Sequence, residues 1–231
     1  MAKRSIDMVV FGGGGYIGSA IVREGRKRGL TMIPLGRHVS EKEGHTADAL
    51  EPEQYRDLLK EAKGIAVSIG TPPFPWPISK ISNEQRILIN GHANRIPIET
   101  AAEEGVENIV LVNAAMPSWL NSMVPGYYQG KMLARQTCEK LEADKAYSEK
   151  TKIHVLQPGA IYSNSRMDRA PGLLFGPLRF FLTSSVGISF SSFLINILPG
   201  VFKGLLDAPP VHVDDLSKQI IDAYLASASK A

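Results

Sequence analysis

The sequence predicts an α/β fold with a doubly wound parallel sheet, completed by a small C-terminal apolar lid or substrate-side subdomain. Three observations predict this fold. Short apolar runs alternate along the chain with longer stretches of helical periodicity. A glycine-rich turn joins the first apolar run to the first helical stretch. No internal repeat interrupts the alternation, which is typical of βαβ units.

The first βαβ unit occupies about thirty residues. An apolar run over Ile6 to Phe11 ends at a row of glycines, and a helical pattern follows. The residues on the apolar face of that helix are Ile17, Ala20, Ile21 and Gly25. Gly29 is placed to end the helix, and a second strand-like run covers Leu30 to Leu35. Because parallel strands need a crossover connection, we expect the helix to supply it.

The alternation continues toward the C-terminus. Ser82 begins a capping-box sequence that opens a long helix to about Glu104, with a kink at Pro97. The carboxylates of Asp214 and Asp215 suit the N-terminus of the last helix. The other predicted elements are a helix over 52–63, a strand over 65–69, a strand over 108–113, a helix over 127–143 and a strand over 153–157.

Composition excludes several classes of protein. The 231 residues carry 26 Lys and Arg against 23 Asp and Glu, a net charge of +3, and 44% are hydrophobic. These values exclude a disordered chain, a collagen and a charge-rich coiled coil, and they argue against a nucleic-acid-binding protein. The single cysteine, Cys138, excludes an internal disulfide and a cysteine-based zinc site. The five histidines show no ligand spacing, so we expect no metal.

The stretch 180–202 carries no formal charge over 23 residues. Seven of these residues are Ser, Thr or Asn, and Gly187 and Pro199 interrupt the stretch, which argues against a membrane-spanning helix. Two interpretations stay open. The segment forms a lid on the substrate side, or it offers an apolar surface, within 173–206, to a membrane or a protein partner.

The glycine turn has the pattern of a dinucleotide-binding loop. It fits two overlapping templates, Gly13-x-Gly15-x-x-Gly18 and Gly12-x-x-Gly15-x-x-Gly18, between a strand and a helix. Glycine lets the backbone approach a pyrophosphate closely, and N–H groups at the helix N-terminus stabilise the phosphate charge. The predicted cofactor contacts in this loop are Gly12, Gly14, Gly15, Tyr16, Ile17 and Gly18.

The end of the second strand favours NADP(H) over NAD(H). Sites that prefer NAD place an Asp or Glu there to bind the adenosine ribose. This chain instead has Arg37 and His38, with no carboxylate before Glu41. A guanidinium can pair with a 2′-phosphate through two parallel hydrogen bonds. NAD(H) binding, with Arg37 as a solvated surface charge, is the alternative.

Together with later motifs, these features resemble the short-chain dehydrogenase/reductase superfamily, in its atypical branch, over nearly the whole chain. The resemblance implies a Rossmann core over 1–160 and a segment, 161–231, that completes the same domain on the substrate side. The further cofactor contacts that it implies are Asp48 and Ala49 after the third strand, Ile69 and Gly70 after the fourth, Pro158, Gly159 and Ile161 after the sixth, and Lys131.

The resemblance also implies a catalytic pair, Tyr127 and Lys131, whose spacing puts both on one helix face. The tyrosine is then the general acid/base, and the lysine lowers the pKa of the tyrosine and orients the nicotinamide ribose. The family usually places a Ser or Thr at the end of the fifth strand, where this chain has Asn113. Asn113 could substitute for that group or bond local backbone only, and Ser118 and Ser122 lie in the following loop. Enzymatic activity is therefore left open.

A narrower resemblance, carried by Tyr127 to Lys131, by Pro158-Gly159 and by Pro209 to Leu216, is to a mitochondrial and plastid subgroup. That subgroup is associated with coenzyme Q biosynthesis and with respiratory complex I. It implies an NADP(H)-binding accessory subunit or assembly factor of an inner-membrane complex at the matrix face. An oxidoreductase acting on a quinone-like or lipid-like substrate is the alternative, and a nucleotide-ratio sensor is a third.

Location in the cytoplasm or a plastid stays open. Only five residues precede Ile6, too few for a signal or transit peptide, so an organelle address would be removed or unorthodox.

Overall fold

A five-stranded parallel sheet organises the residues that the computed structural model describes, which are 4–71, 81–115, 121–122, 124–163 and 210–228. The strands lie in the order β2-β1-β3-β4-β5. Their bounds are β1 Ile6–Phe11, β2 Met32–Leu35, β3 Ala62–Val67, β4 Asn108–Val112 and β5 Lys152–Leu156. Two short parallel strands, β6 Ile161–Tyr162 and β7 Val211–His212, form a second, small sheet. The predicted doubly wound α/β sheet is confirmed.

Helices connect the strands. They are α1 Tyr16–Lys27, α2 Arg56–Lys60, α3 Asn83–Ile87, α4 Ala93–Glu103, α5 Pro125–Ala143, α6 Lys145–Ser148 and α7 Val213–Ala228. A 3₁₀ turn, Pro52–Gln54, precedes α2, and a π-helical turn, Leu88–His92, joins α3 to α4. Among the helices of the described ranges, none is long and apolar enough to cross a membrane.

Alternation of side chains along the strands produces two cores, one on each face of the sheet. On β1, Met8 and Val10 pack on the face that carries α1 and α7, where Ile21 and Leu216 are buried. Val9 and Phe11 point to the opposite face, where residues of α4 and α5, such as Ile98 and Ala134, complete the core. The central strands therefore have no solvent-exposed face.

The strand order reverses at β1, which pairs with β2 on one side and β3 on the other. The chain after β1 crosses to β2, whereas the chain after β2 returns past β1 to β3. A crevice forms at the carboxyl ends of the strands at such a reversal, and ligands of open α/β sheets bind there. The sheet thus positions any site at the ends of β1 and β3.

Helix α1 has the predicted apolar face and ends as predicted. Ala20, Ile21 and Gly25 are buried, and Ile17 packs beside them. Gly29 adopts φ +78°, a left-handed conformation that glycine tolerates, and closes the helix. The last helix also begins as predicted, since Asp214 and Asp215 lie in the first turn of α7.

The third strand implied by the resemblance is not formed as a strand. Only an isolated bridge, Leu35 to His45, occupies its place. Its two hydrogen bonds run from the His45 N–H to Pro34 and from the Gly36 N–H to His45. The predicted fourth, fifth and sixth strands are therefore β3, β4 and β5. Asp48 follows the bridge rather than a third strand.

The predicted helix over 52–63 and strand over 65–69 are wrong at their shared boundary. Helix α2 ends at Lys60, and β3 runs from Ala62 to Val67. Because Lys63 is charged, the apolar pattern of the sequence does not indicate that the strand already includes this residue. Its ammonium pairs at 2.7 Å with the carboxylate of Asp7 on the neighbouring strand, so a charged residue is accommodated within a buried sheet.

The capping box at Ser82 is confirmed by both of its hydrogen bonds. Pro97 lies inside α4, and the π turn at Leu88–His92 precedes that helix; the kink at Pro97 stays a prediction. The side-chain amide of Asn94 donates to the carbonyl oxygens of Ile89 and Asn90.

Candidate functional site

The glycine loop between β1 and α1 packs against itself around one carbonyl group. A Cβ added at Gly18 would lie 2.1 Å from the Gly12 carbonyl oxygen, and one added at Gly15 would lie 3.0 Å from it. The Gly15 N–H also donates to that oxygen at 2.8 Å. Gly12 itself adopts φ +78°. Gly13 is equally restricted, since a Cβ there would lie 2.5 Å from Pro34, so the contacts are compatible with both templates that fit the sequence.

The outer side of the same loop is open. Gly14 and Gly15 are exposed, and α1 begins directly after them at Tyr16, without a side-chain cap. The first N–H groups of a helix have no acceptor within the helix and need a cap, water or a ligand. Together with the helix dipole, they make this end of α1 suited to an anion. Ile17, also predicted as a contact, is half-buried.

The turn after β2 lies beside the glycine loop. Arg37 and His38 are exposed on this turn. A Cβ at Gly14 would lie 3.2 Å from a methyl group of Val39, which places the turn against the loop. The structure thus brings the residues predicted to select the cofactor next to the residues predicted to hold its phosphates.

Asp48 and Ala49 lie after the Leu35–His45 bridge. The Asp48 carboxylate accepts a hydrogen bond from the Leu50 N–H at 3.0 Å, which forms a local turn. The carbonyl oxygen of Ala49 accepts from the buried Tyr55 hydroxyl at 2.9 Å. These bonds fix the backbone of the segment, and adenine contact by Asp48 stays a prediction.

The end of β3 connects the glycine loop with helix α5. A Cβ at Gly12 would lie 3.3 Å from Ile69, and one at Gly70 would lie 3.4 Å from Lys131 Nζ. Gly70 is exposed, whereas Lys131 is buried. The glycine loop, the Ile69–Gly70 turn and Lys131 therefore line one continuous edge of the sheet.

Tyr127 and Lys131 lie one turn apart on α5 and are both buried, with 6% of each residue exposed. No hydrogen bond joins the Tyr127 hydroxyl or the Lys131 ammonium to another described residue. Burial raises the pKa of Tyr127 to about 12 and lowers the pKa of Lys131 to about 8, because both charged forms lose hydration. Burial is the cause of both shifts, and the lowering of the tyrosine pKa by the lysine stays a prediction.

Asn113 follows β4 and is 4% exposed. Its side-chain amide donates to the backbone carbonyl oxygen of Lys131 at 3.2 Å. Its own Oδ1 is buried and has no partner among the described residues. Asn113 is thus placed beside the predicted catalytic pair, and one of its polar atoms is left for another group.

The turn after β5 closes this edge of the sheet. The Pro158 carbonyl oxygen accepts from the Ala115 N–H at 2.9 Å, and Ile161 pairs with Val211 of β7. Pro158, Gly159 and Ile161 are half-buried. Beyond β6, Ser163 lines a cleft together with Gly14 and Gly15 of the glycine loop.

Sequence reasoning did not assign a role to Asn90, which is fully buried between β3 and α5. Its Oδ1 accepts from the Thr71 N–H at 3.1 Å, and its amide donates to the Thr71 hydroxyl at 3.0 Å. A Cβ at Gly70 would lie 2.9 Å from the same Oδ1. A signal was present, because Asn90 and Asn94 are spaced by four on the buried side of a helical stretch.

Several predictions fall outside the described residues. They are the stretch 180–202, the apolar surface within 173–206, and Ser118. Ser122 is described and is exposed. Within the described ranges, no group of three His, Cys, Asp or Glu residues comes together to hold a metal ion.

No protein-family model matches the chain. An uncharacterized chloroplastic protein of Arabidopsis thaliana is 27% identical over 234 residues, which cover 95% of this chain and 72% of that relative. Similar solved structures include MoeE5 in complex with UDP-glucose and NAD, with a TM-score of 0.59 and 20% identity over 73% of this chain. They also include the UDP-N-acetylglucosamine 4-epimerase of Bacillus cereus, with a TM-score of 0.61 and 15% identity over 94% of this chain.

A third similar structure is a short-chain dehydrogenase/reductase superfamily protein of Agrobacterium tumefaciens with bound NAD, with a TM-score of 0.57 and 16% identity over 74% of this chain. The chain spans 60% of the length of MoeE5 and 54% of that of the Agrobacterium protein. These similarities show a Rossmann-like fold of the kind found in dehydrogenase/reductase and epimerase structures. The narrower resemblance to the coenzyme Q and complex I subgroup stays a prediction.

Proposed function

We propose that this protein binds a nicotinamide dinucleotide, NADP(H) in preference to NAD(H), at the carboxyl edge of its parallel sheet. The observation that carries the proposal is the glycine loop. Its inner side is closed around the Gly12 carbonyl, where Gly18 leaves no room for a Cβ, and its outer side exposes Gly14 and Gly15 at an uncapped helix N-terminus. Backbone N–H groups presented in this way suit a diphosphate.

The adjoining surfaces fit the rest of such a ligand. Arg37 is exposed beside Gly14 and can pair with a ribose 2′-phosphate. At the other end of the loop, Gly70 leads to Lys131, whose buried ammonium can donate to ribose hydroxyls. The ligands named in similar structures, NAD in MoeE5 and in the Agrobacterium protein, support the same ligand class.

The test is nucleotide titration of the purified chain and of Gly14→Asp, followed by NADPH fluorescence or calorimetry. A Cβ at Gly14 meets a single methyl group at 3.2 Å, so the variant should fold. Its carboxylate would repel a diphosphate, and like charges in contact cost several kcal/mol, so we expect at least about a tenfold loss of affinity. Gln136→Glu, which adds the same charge on the exposed side of α5, should bind normally. Equal binding by wild type and Gly14→Asp would overturn the proposal.

A second function, oxidoreductase activity, is favoured by the Tyr127 hydroxyl and the Lys131 ammonium, neither of which has a hydrogen-bond partner among the described residues. When bound, the nicotinamide supplies or accepts a hydride. The Tyr127 hydroxyl would donate its proton to the substrate oxygen during reduction and take it back during oxidation. Lys131 gains a proton readily when an acceptor is near, because the burial cost of its charge is then offset.

Oxidation of NADPH by a soluble quinone, followed at 340 nm, tests this second function. General acid catalysis contributes about 10²–10⁴-fold, so Tyr127→Phe should lower the rate by at least about 100-fold while NADPH binding persists. Tyr128→Phe, next to it on the same helix and half-buried, is the matched control and should keep the rate. Retention of the wild-type rate by Tyr127→Phe would exclude this role.

Association with a respiratory or quinone-synthesis complex at a mitochondrial inner membrane stays a prediction, because none of the described residues bears on it. The chloroplastic description of the plant relative supports a plastid as readily. Identification of the proteins that co-purify with the native chain from mitochondria and from plastids tests this prediction. A free monomer in both fractions would contradict it.

A further inference from the structure

We propose that His212 donates a hydrogen bond from Nε2 to the diphosphate of the bound dinucleotide. This inference rests on the proposed function and adds a ligand contact on the far side of the cleft from the glycine loop. His212 is the last residue of β7 and directly precedes α7.

The cleft lies between two helix N-termini and holds about 460 Å³. On one side it is lined by Gly14 and Gly15 before α1, and on the other by His212 and Asp214 at the start of α7. Ser163, which follows β6, lines it as well. A diphosphate on the glycine loop would therefore occupy the same cleft as the imidazole of His212.

Contacts of the imidazole fix which nitrogen donates. Nδ1 accepts a hydrogen bond from the Asp214 N–H at 3.2 Å. A neutral ring that accepts at Nδ1 carries its proton on Nε2, and a protonated ring has a proton there too. The Tyr162 ring packs edge-on against the imidazole, with the ring centroids 5.3 Å apart, and holds its orientation. Nε2 is consequently a donor in either protonation state.

This donor lacks an acceptor. Nε2 is buried and has no hydrogen-bond partner among the described residues. A buried donor without an acceptor is costly, so a ligand that supplies an acceptor gains affinity by relieving that cost. Phosphate oxygens are the strongest acceptors that a dinucleotide offers, and the helix N-termini around this cleft favour their charge.

Two substitutions separate the proposed contact from the structural role of the ring. His212→Asn keeps an acceptor near the Nδ1 position for the Asp214 N–H but removes the donor at Nε2. His212→Gln can place an amide N–H near the Nε2 position. The control is His154→Asn, since His154 bonds to Ser227 in a different cavity, away from the glycine loop.

The probes are NADPH, ADP-ribose, which retains the diphosphate, and adenosine 2′-monophosphate, which lacks it. We expect His212→Asn to lose at least about tenfold in affinity for the first two and to keep its affinity for the third. His212→Gln should recover most of the loss, and His154→Asn should bind like wild type. Wild-type affinity of His212→Asn for ADP-ribose, or an equal loss for all three probes, would overturn the inference.

A measurement on the wild-type chain covers the case in which the variants fail to fold. In protein labelled with ¹⁵N-histidine, ADP-ribose should shift the Nε2 resonance of His212 and slow the exchange of its proton. An unchanged resonance in protein saturated with ADP-ribose would exclude the contact. Failure of the wild-type chain to bind NADPH and ADP-ribose at all would instead refute the proposed function.

Discussion

The side-chain amide of Asn113 donates a 3.2 Å hydrogen bond to the backbone carbonyl oxygen of Lys131. The bond joins the end of β4 to the middle of α5, at the residue whose ammonium approaches Gly70. Since Tyr127 precedes Lys131 by one turn, the bond links β4 to the part of α5 that carries both side chains. Asn113 therefore acts here as a positioning residue.

Asn113→Asp should destabilise the protein at neutral pH. A carboxylate would bring a second acceptor against the Lys131 carbonyl oxygen in a buried environment, which costs about 2 kcal/mol or more. Asn113→Leu, which removes the amide and its unpartnered Oδ1 together, should change the free energy of unfolding by about 1 kcal/mol or less. Urea unfolding at pH 7 measures both. Equal stability of Asn113→Asp and wild type would contradict the buried, hydrogen-bonded placement of the Asn113 side chain.

Substitution of two glycines of α1 by alanine should change the stability of the protein by different amounts. At Gly18 the added Cβ would lie 2.1 Å from the Gly12 carbonyl oxygen, so the loop backbone must move and we expect a loss of about 2 kcal/mol or more. At Gly25 the added Cβ meets the flexible side chain of Met32, and the gain in helix propensity offsets part of the strain. Thermal unfolding should place Gly25→Ala within about 1 kcal/mol of wild type. A larger loss of stability in Gly25→Ala than in Gly18→Ala would contradict the geometry of the glycine loop.

The buried charge of Lys131 predicts a pH-dependent stability. Burial lowers its pKa from 10.5 to about 8, so below pH 8 the ammonium is charged in both the folded and the unfolded chain. In that range the folded state bears the full free-energy cost of burying the charge. Lys131→Met should therefore raise the free energy of unfolding at pH 7, by up to about 3 kcal/mol. Between pH 8 and pH 10.5 Lys131 keeps its proton in the unfolded chain but loses it in the folded chain. The free energy of unfolding of wild type therefore rises with pH, and its difference from that of Lys131→Met becomes smaller. Urea unfolding of both proteins across this pH range measures the two free energies of unfolding. A difference between them that stays constant with pH would refute the lowered pKa of Lys131.

Arg37 should determine the preference between the two dinucleotides. Hydrogen bonds to charged groups contribute about 1.5–3 kcal/mol, so Arg37→Ala should weaken NADPH binding by at least about tenfold and leave NADH binding nearly unchanged. Lys42→Ala, at a neighbouring exposed cation, is the control and should not change the affinity for NADPH relative to that for NADH. Calorimetric titration with both nucleotides measures the ratio of the two affinities in each variant. Equal effects of Arg37→Ala on the two affinities would mean that Arg37 does not contact a 2′-phosphate.

The parts of the fold that were predictable from the sequence depend on local signals. The run Ile6–Phe11, the glycines and the apolar face of α1 lie within one short segment, so pattern alone defines the first βαβ unit. The capping box at Ser82 and the paired carboxylates at the start of α7 are equally local. Parallel pairing then follows from the crossover rule.

The features that sequence reasoning missed depend on contacts between distant segments. Lys63 lies in β3, where its partly exposed ammonium pairs with Asp7 on the neighbouring strand. Asn90 acquires its position only when the π turn brings it against Thr71. The donor state of His212 requires the Asp214 N–H and a cleft shared with a loop nearly two hundred residues earlier. The spacing of Asn90 and Asn94 indicates a shared helix face, but no spacing rule in the sequence gives the partners of these residues.

If the outer side of the glycine loop holds the phosphates of a dinucleotide, its backbone amides must respond to nucleotide. This is measured by titration of ¹⁵N-labelled protein with NADPH, observed through backbone amide resonances. We expect saturable shifts of the Gly14 and Gly15 amides at one nucleotide per chain, with smaller changes at Gly29, which lies at the opposite end of α1. Unchanged Gly14 and Gly15 resonances at saturating NADPH would contradict it.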